Sequence, residues 1–504
     1  MFQNIFSSPR RISMGLSVLR FLKMVLGLVV LYLSILYFGT SMERDAWVIA
    51  IGTYSVIIQS VYSPINDTFR TRFIYLKSSL GEKSVIESVN SLISIFWISF
   101  LVIGVCIFIC RHPLTRIIAP GFNDTCSLFL ISLMLWLLPY FVFQQMVNIT
   151  QALLNTYESY FYPDIISLLA SIINILFIVL FAQSIGIYAL VIATSINYGL
   201  LLLVLCCLLH RKVPDFSIFP HFGLKKAVPF LTFSLPVYLA MFTVQMYAMV
   251  ERATCSKFGE GAVSLYDYAH QIMNLPNVVF SSIVPIVLTP LLSKYHIDGM
   301  GQAFSSEYRK FMRMLLVFTI IVGEVMIVNR CDISILFFNK DNVDFENLEI
   351  ALGITIFFVI VNLICGQALI AQSRIKQYVT SIVLGNVLSI LACLSLNSLF
   401  PLYAIAICYI IGQIVSMIIL LHFLQIEEKG KSLSDIGFLL LIFIGTCCLA
   451  LFVSSQVHQE GGKMAAIINI LTFSTCEILL IGGLYFTFFK EERKTLLNFI
   501  HSKH

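Results

Sequence analysis

The sequence predicts an all-α polytopic membrane protein. We expect about 14 transmembrane helices, arranged as two six-helix lobes related as parallel repeats plus two C-terminal helices. Three observations predict this. Only 12% of residues are charged and 59% are hydrophobic, with a mean hydropathy of +0.92, whereas soluble domains carry roughly 25% charged residues. Fourteen apolar segments can be marked out, and most reach the ~20 residues needed to cross hydrocarbon. The second set of six echoes the first at an offset of roughly 215–225 residues, the spacing of a duplicated half rather than a solenoid.

The segments run over residues 16–39, 45–65, 86–110, 126–150, 161–183, 186–208, 227–250, 263–291, 311–329, 347–371, 377–396, 401–424, 434–454 and 464–489. Segment 1 is too long for a cleaved leader and no small-residue cleavage site follows it, so it reads as a retained span. Three landmarks recur in order. Phe38-Gly39 after segment 1 matches Phe258-Gly259 after segment 7. The exit of segment 2 at Pro64, with Arg70 and Arg72, matches Pro290 with Lys294. The stretch from Gln151 matches the stretch from Gln367. Six crossings per half is an even number, so both halves enter from the same side, which is transporter architecture. The expected divisions are 1–215 for the N-terminal lobe, 216–426 for the C-terminal lobe, and 427–504 for two further helices and a basic tail.

Basic residues set the expected topology. With the N-terminus, the even-numbered exits and the C-terminus on one side, that side holds 22 of the 32 Lys and Arg and the other holds 8. The rich side is then cytoplasmic by the positive-inside rule. Its clusters are Arg10-Arg11, Arg70/Arg72/Lys77/Lys83, Arg211-Lys212 with Lys225-Lys226, Arg309-Lys310/Arg313 and Lys490/Arg493/Lys494. The net charge of +5 is thus a topology signal and an attraction to anionic lipid, with no case for nucleic acid. Most of the 13 Cys fall in apolar segments, where they act as small hydrophobes. Cys110, Cys126, Cys255 and Cys331 sit near the outer face, where a disulfide is an open option. No Cys/His spacing suits a metal, and no cofactor is expected. Loops are short and lack paired carboxylates, which argues against a membrane-embedded enzyme.

Ionisable groups inside a bilayer are costly and mark functional candidates. Segment 1 carries Arg20 and Lys23 on one helix face. They either snorkel to the surface or line a cavity suited to phosphate. Asp45, in FGTSMERDAW, is either the N-cap of helix 2 or part of an outer gate. In segment 4, Gln144, Asn148, Gln151 and Asn155 form one stripe, for interhelical hydrogen bonds or a cavity wall. Glu251-Arg252 ends segment 7. Segment 8 holds Asp267, His270, Gln271 and Asn274 on one face, and the imidazole could act as a proton switch. Glu324 in segment 9 is an isolated carboxylate. Pro236, Pro276, Pro285 and Pro290 kink segments 7 and 8.

These residues resemble the MurJ/MviN family of lipid-linked sugar flippases, within the superfamily that includes Wzx and MATE exporters. The resemblance rests on FGTSMERDAW from Phe38, APGFND from Ala119, LPYFVFQQMVNITQALLNTYESYFYP from Leu138, and GEGAVSLYDYAHQIMNLPNVVFSSIVPIVLTPLLSKY from Gly259. It places Asp45 on the family's acidic position and Glu251-Arg252 on its acidic-Arg pair. It also agrees with segments 13 and 14, since Wzx and MATE proteins usually stop at twelve. The implied activity is alternating-access flipping of a polyprenyl-diphosphate-linked sugar across a bacterial inner membrane by a monomer, with the termini cytoplasmic. The implied partners are the lipid-linked glycan, membrane lipids and a coupling ion, H+ or Na+.

The departures concern charge. Met24 and Val30 stand where family members carry segment 1 arginines, Ile58 at a segment 2 arginine and Gln271 at a segment 8 arginine. The family's sodium site implies an Asn, met by Asn386, and an Asp, where Ile390 falls. The cargo is then the peptidoglycan precursor lipid II, or a related surface glycan such as a Wzx-type exopolysaccharide or O-antigen unit. A MATE-like exporter of cationic drugs is the competing expectation, kept open by Glu324, Glu251 and Asp267.

Overall fold

The structure, a computed structural model, describes residues 9–157, 159, 161–220, 223–338, 342–396, 399–427, 429–457 and 462–488. The predicted basic cluster Lys490/Arg493/Lys494 lies outside the described residues, and so do the side chains of Arg10, Arg11, Pro236 and Pro276. The described residues form nineteen α-helices and no strand. Eleven helices are long and apolar enough to span a membrane, or up to thirteen if each of two bent pairs is one span. The remaining expected span, 263–291, is broken at Asn274 into two helices. Two compact units divide the chain, Met1–Ser264 and Leu265–His504.

The first unit opens with α1 (Pro9–Phe38) and α2 (Met42–Ile57), which passes through a π turn (Ile58–Tyr62) into α3 (Ser63–Leu80). The expected exit at Pro64 is instead a register adjustment. Proline lacks an N–H and crowds the carbonyl four residues back, and the wider turn bonds Ser63 N to Ile58 O, five residues back. The helix therefore continues through Met42–Leu80 as one 39-residue span. Next come α4 (Glu82–Ile109), α5 (Arg111–Ile118), α6 (Asp124–Trp136) and α7 (Leu138–Thr156), with α6 and α7 bent by 43° beside Pro139. After α8 (Phe161–Ile185) and α9 (Tyr188–Lys212), α10 (Val228–Cys255) carries the chain toward the boundary.

An aromatic core holds this unit together. Phe141 packs against Tyr54 and Phe100 with ring centroids 5.2 Å away in each case, and Tyr62 packs edge-on against Phe96. The buried Tyr54 hydroxyl donates to Met134 O at 2.7 Å, which satisfies the one polar atom such a ring brings inside.

α11 (Ala262–Met273) crosses the unit boundary. The second unit continues with α12 (Leu275–Ile297), α13 (Gly301–Val328), α14 (Arg330–Phe338), α15 (Val343–Ala371), α16 (Ile375–Leu394) and α17 (Ala404–Phe423). The helices α18 (Lys429–Val457) and α19 (Lys463–Phe488) both pack against α13. At the heart of this unit α15 is the most enclosed span, with 72% of its apolar window buried, against 17% for α19. A helix apolar all round is either core or lipid-facing, and these two sit at the two extremes.

Candidate functional site

In the first unit the polar residues converge on Asp45. Ser41 caps α2 by accepting from Arg44 N at 3.3 Å, so the N-cap expected of Asp45 belongs to Ser41. Asp45 instead caps a different helix. Its carboxylate accepts the Gly261 N–H at 2.6 Å and the Ser264 N–H at 2.7 Å, together with the Ser264 hydroxyl. These are first-turn donors of α11, which the helix cannot satisfy itself, and an anion there is favoured by the helix dipole. Asp45 is only 1% exposed.

The neighbours fix this arrangement. Met42 N donates to Glu260 Oε1 at 3.3 Å. Gly261 has φ +83°, a left-handed conformation that favours glycine, and a Cβ there would lie 2.6 Å from Thr40 O. Arg44 is fully enclosed, donates from Nε to Ser34 Oγ at 2.8 Å and covers the Trp47 ring at 4.4 Å. Sequence reasoning missed Ser34, Gly261 and Ser264. The only available signal was the Gly-Glu-Gly run before α11, which marks a turn without naming its acceptor.

Arg20 pairs with Asp164 of α8 at 3.7 Å, with side-chain exposures of 53% and 24%, and Lys23 lies within electrostatic reach of the same carboxylate. Asp164 was not singled out from the sequence, although a carboxylate in an apolar segment is a signal in itself. On α10, Glu251 is buried and accepts the Tyr247 hydroxyl at 2.7 Å. Arg252 lies against α2, where a Cβ on Gly52 would be 2.8 Å from its Nε. The stripe Gln144, Asn148, Gln151 and Asn155 is half-buried throughout. The adjacent Gln145, fully enclosed, exchanges two hydrogen bonds with Asn66 of α3 at 3.1 and 3.3 Å.

In the second unit the segment 8 stripe divides. Gln271 Nε2 donates to Asp267 Oδ2 at 2.7 Å. His270 stacks on Tyr266 and, with Asn274, lines a cavity of ≈ 40 Å³ shared with Asn277, Thr355 and Tyr409. Asn274 Oδ1 accepts from Asn277 Nδ2 at 2.9 Å. A larger cavity of ≈ 630 Å³ opens where α12, α15 and α17 end, lined by His296, Gln372, His422, Glu427 and Lys429. None of the sequence-predicted residues lines it. Glu324 is buried and shares a hydrogen bond with the Thr446 hydroxyl of α18. Asn386 is buried on α16. Among the described residues no group of three or more His, Cys, Asp or Glu is arranged to hold a metal ion, and the thirteen cysteines form no disulfide.

Long apolar helices that enclose buried ion-bearing polar clusters define a multi-pass helical membrane protein of the transporter class. The sequence model of the lipid II flippase MurJ matches residues 35–472. The chain belongs to the MurJ lipid II flippase family, a family of transporters and not of enzymes.

Individual relatives agree. The "Lipid II flippase MurJ" of Burkholderia cenocepacia is 27% identical over 177 residues, covering 33% of this chain and 34% of that protein, so the match spans about a third of the relative's length. The "Probable lipid II flippase MurJ" of Buchnera aphidicola subsp. Acyrthosiphon pisum is 23% identical over 493 residues, covering 94% of each chain. A solved "Lipid II flippase MurJ, inward closed conformation" has a similar fold, with a TM-score of 0.79 at 19% identity, covering 94% of this chain and 99% of that one.

Proposed function

We propose that this protein flips a polyprenyl-diphosphate-linked sugar across the bacterial cytoplasmic membrane by alternating access. The substrate is peptidoglycan precursor lipid II or a related cell-surface glycan unit. A headgroup with two phosphates cannot cross ~30 Å of hydrocarbon unaided. The observation that carries the reading is the Asp45 carboxylate, buried and held by first-turn donors of α11. Such a contact joins two helices through directional hydrogen bonds to one carboxylate. It can therefore open and close as a unit, and it sits on the family's acidic position. In this reading residues 1–215 and 216–426 act as the two moving lobes, 427–504 is an appendage, both termini are cytoplasmic, and the carrier works as a monomer.

Arg20, Lys23 and Arg252 supply the cationic contacts to the diphosphate. Gln144, Asn148, Asp267, His270, Gln271 and Asn274 supply hydrogen bonds to the sugar. The test is transport of a labelled lipid-linked sugar into proteoliposomes by Arg20→Ala, Lys23→Ala and Arg252→Ala. Each should lower transport, and unchanged transport in all three would overturn the electrostatic part. A second reading of the cargo has its own support. Met24, Val30, Ile58 and Gln271 stand at family arginine positions, and Arg20 is engaged by Asp164. A cavity with fewer cations suits a lipid-linked glycan other than lipid II, and competition between the two lipids in the same vesicles decides between them.

A further inference from the structure

The helices α18 and α19 are joined to α13 through carboxyl chemistry that the transport reading leaves unused. Glu324 of α13 is 1% exposed and Glu477 of α19 is 7% exposed. The two helices that carry them pack against each other, and the charge of Glu477 is felt at Glu324. Both oxygens of Glu477 are enclosed and have no hydrogen-bond partner among the described residues. Glu324 meets the Thr446 hydroxyl of α18, and the Cys447 thiol lies within electrostatic reach of both carboxyls.

Among the described residues no ion pair reaches either carboxyl. Arg313, on α13 itself, is three turns away and binds Asp435 at 2.8 Å. Arg330 reaches Glu346 at 4.0 Å beyond the end of α13. Asp332 of α14 accepts from Asn469 of α19. Glu349 of α15 is buried with neither oxygen bonded. The α12 side contributes the aromatic contact of Phe280 with Phe318.

The hydrogen inventory at Thr446 is decisive. Its Oγ1 lies within hydrogen-bond distance of both Glu324 Oε1 and its own helix's Ile442 O. A hydroxyl has one hydrogen to donate. Both contacts are satisfied in full when Thr446 donates to the Ile442 carbonyl and a protonated Glu324 donates to Thr446. Two buried carboxylates side by side cannot both ionise without large repulsion, and one proton taken from water removes one of the two charges. Among the described residues no group of three or more His, Cys, Asp or Glu is arranged to hold a metal ion, and the ligand that fits this inventory is a proton.

We propose that Glu324 and Glu477 form a proton-binding pair that fastens the C-terminal helices to α13, closing when a proton is bound and loosening when it leaves. This is independent of the cargo, and its test does not use transport. The full-length protein in lipid nanodiscs is titrated from mildly acid to alkaline buffer by infrared difference spectroscopy of the carboxyl C=O stretch. Hydrogen exchange of α19 is followed in parallel.

The native protein should lose a carboxyl band as pH rises, with faster exchange in α19. Glu324→Gln and Glu477→Gln should each leave one carboxyl whose titration moves to lower pH by about one unit, because the like charge is gone. The double variant should lack the band and show exchange that no longer depends on pH. Thr446→Val should displace the titration without removing the band, and Glu349→Gln should leave it in place. A band that survives in the double variant, or single variants that titrate as the native protein does, would overturn the pair. Loss of the band in Glu349→Gln alone would likewise overturn it.

Discussion

The carboxylate of Asp45 receives both the backbone N–H and the hydroxyl of Ser264, a residue 219 positions further along the chain. With the Gly261 N–H, this gives one buried side chain three donors from a single helix start. Hydrogen bonds to a charged acceptor contribute roughly 1.5–3 kcal/mol each, and stranding the donors costs about 1–3 kcal/mol.

Asp45→Ala is therefore expected to free the first turn of α11. Hydrogen exchange by mass spectrometry should quicken at Gly261 and Ser264 while the aromatic core around Phe141 keeps its protection. Ser264→Ala removes only the hydroxyl and should give a weaker effect. Equal protection in Asp45→Ala and the native protein would remove the cap from the argument.

The Arg20–Asp164 pair makes a prediction of opposite sign. The pair is partly solvated, so its own contribution is at most about 1 kcal/mol. If Arg20 and Lys23 serve the diphosphate, Asp164 competes with the substrate for them. Asp164→Asn should then tighten binding of the lipid-linked diphosphate by up to about fivefold, since about 1.4 kcal/mol is tenfold, while Arg20→Ala weakens it. Substrate titrations of transport rate check this. Weakening in both variants would mark the pair as structural.

These contacts also mark what could be read from the sequence. Helix existence was legible because an uninterrupted apolar run needs internally satisfied backbone to enter lipid. The continuation of α2 through Pro64 was not legible, because a π turn leaves no compositional mark. Asp45 was visible as an ionisable group, but two of its three donors are backbone N–H groups, which carry no side-chain signature. Glu324 was visible as an isolated carboxylate, whereas Glu477 sat unremarked in a C-terminal segment 153 residues away. Pairing depends on helix packing, and that is set by the shapes of many apolar side chains, so no local pattern encodes it.

Gly52 provides the space that Arg252 occupies. A Cβ there would meet the guanidinium at 2.8–2.9 Å. Because the contact is with the end of a flexible side chain, Gly52→Ala should shift Arg252 at little cost to stability. Gly52→Leu should drive it from the surface of α2. Transport of the lipid-linked sugar should fall in the order native, Gly52→Ala, Gly52→Leu, with melting temperatures changing far less than the rate. A parallel fall in melting temperature would show that the site is only a packing contact.

The reciprocal amide pair of Asn66 and Gln145 offers a cleaner energetic test, because both members are uncharged and their two bonds close on each other. Removing one side chain strands the other amide, at about 1–3 kcal/mol for a buried polar group. Removing both leaves nothing stranded. Asn66→Leu and Gln145→Leu should therefore each lower the melting temperature, and the double variant should recover most of the loss. The coupling energy in the double-mutant cycle should then be at least about 1 kcal/mol, the lower end of that stranding cost. Additive effects would show that the amides face water and that α3 and α7 are held by their apolar neighbours alone. Transport measured on the same variants then separates the two roles of the region. The double variant should be stable, yet slower if the half-buried stripe of Gln144 and Asn148 depends on the Gln145 amide to hold the face of α7 in register.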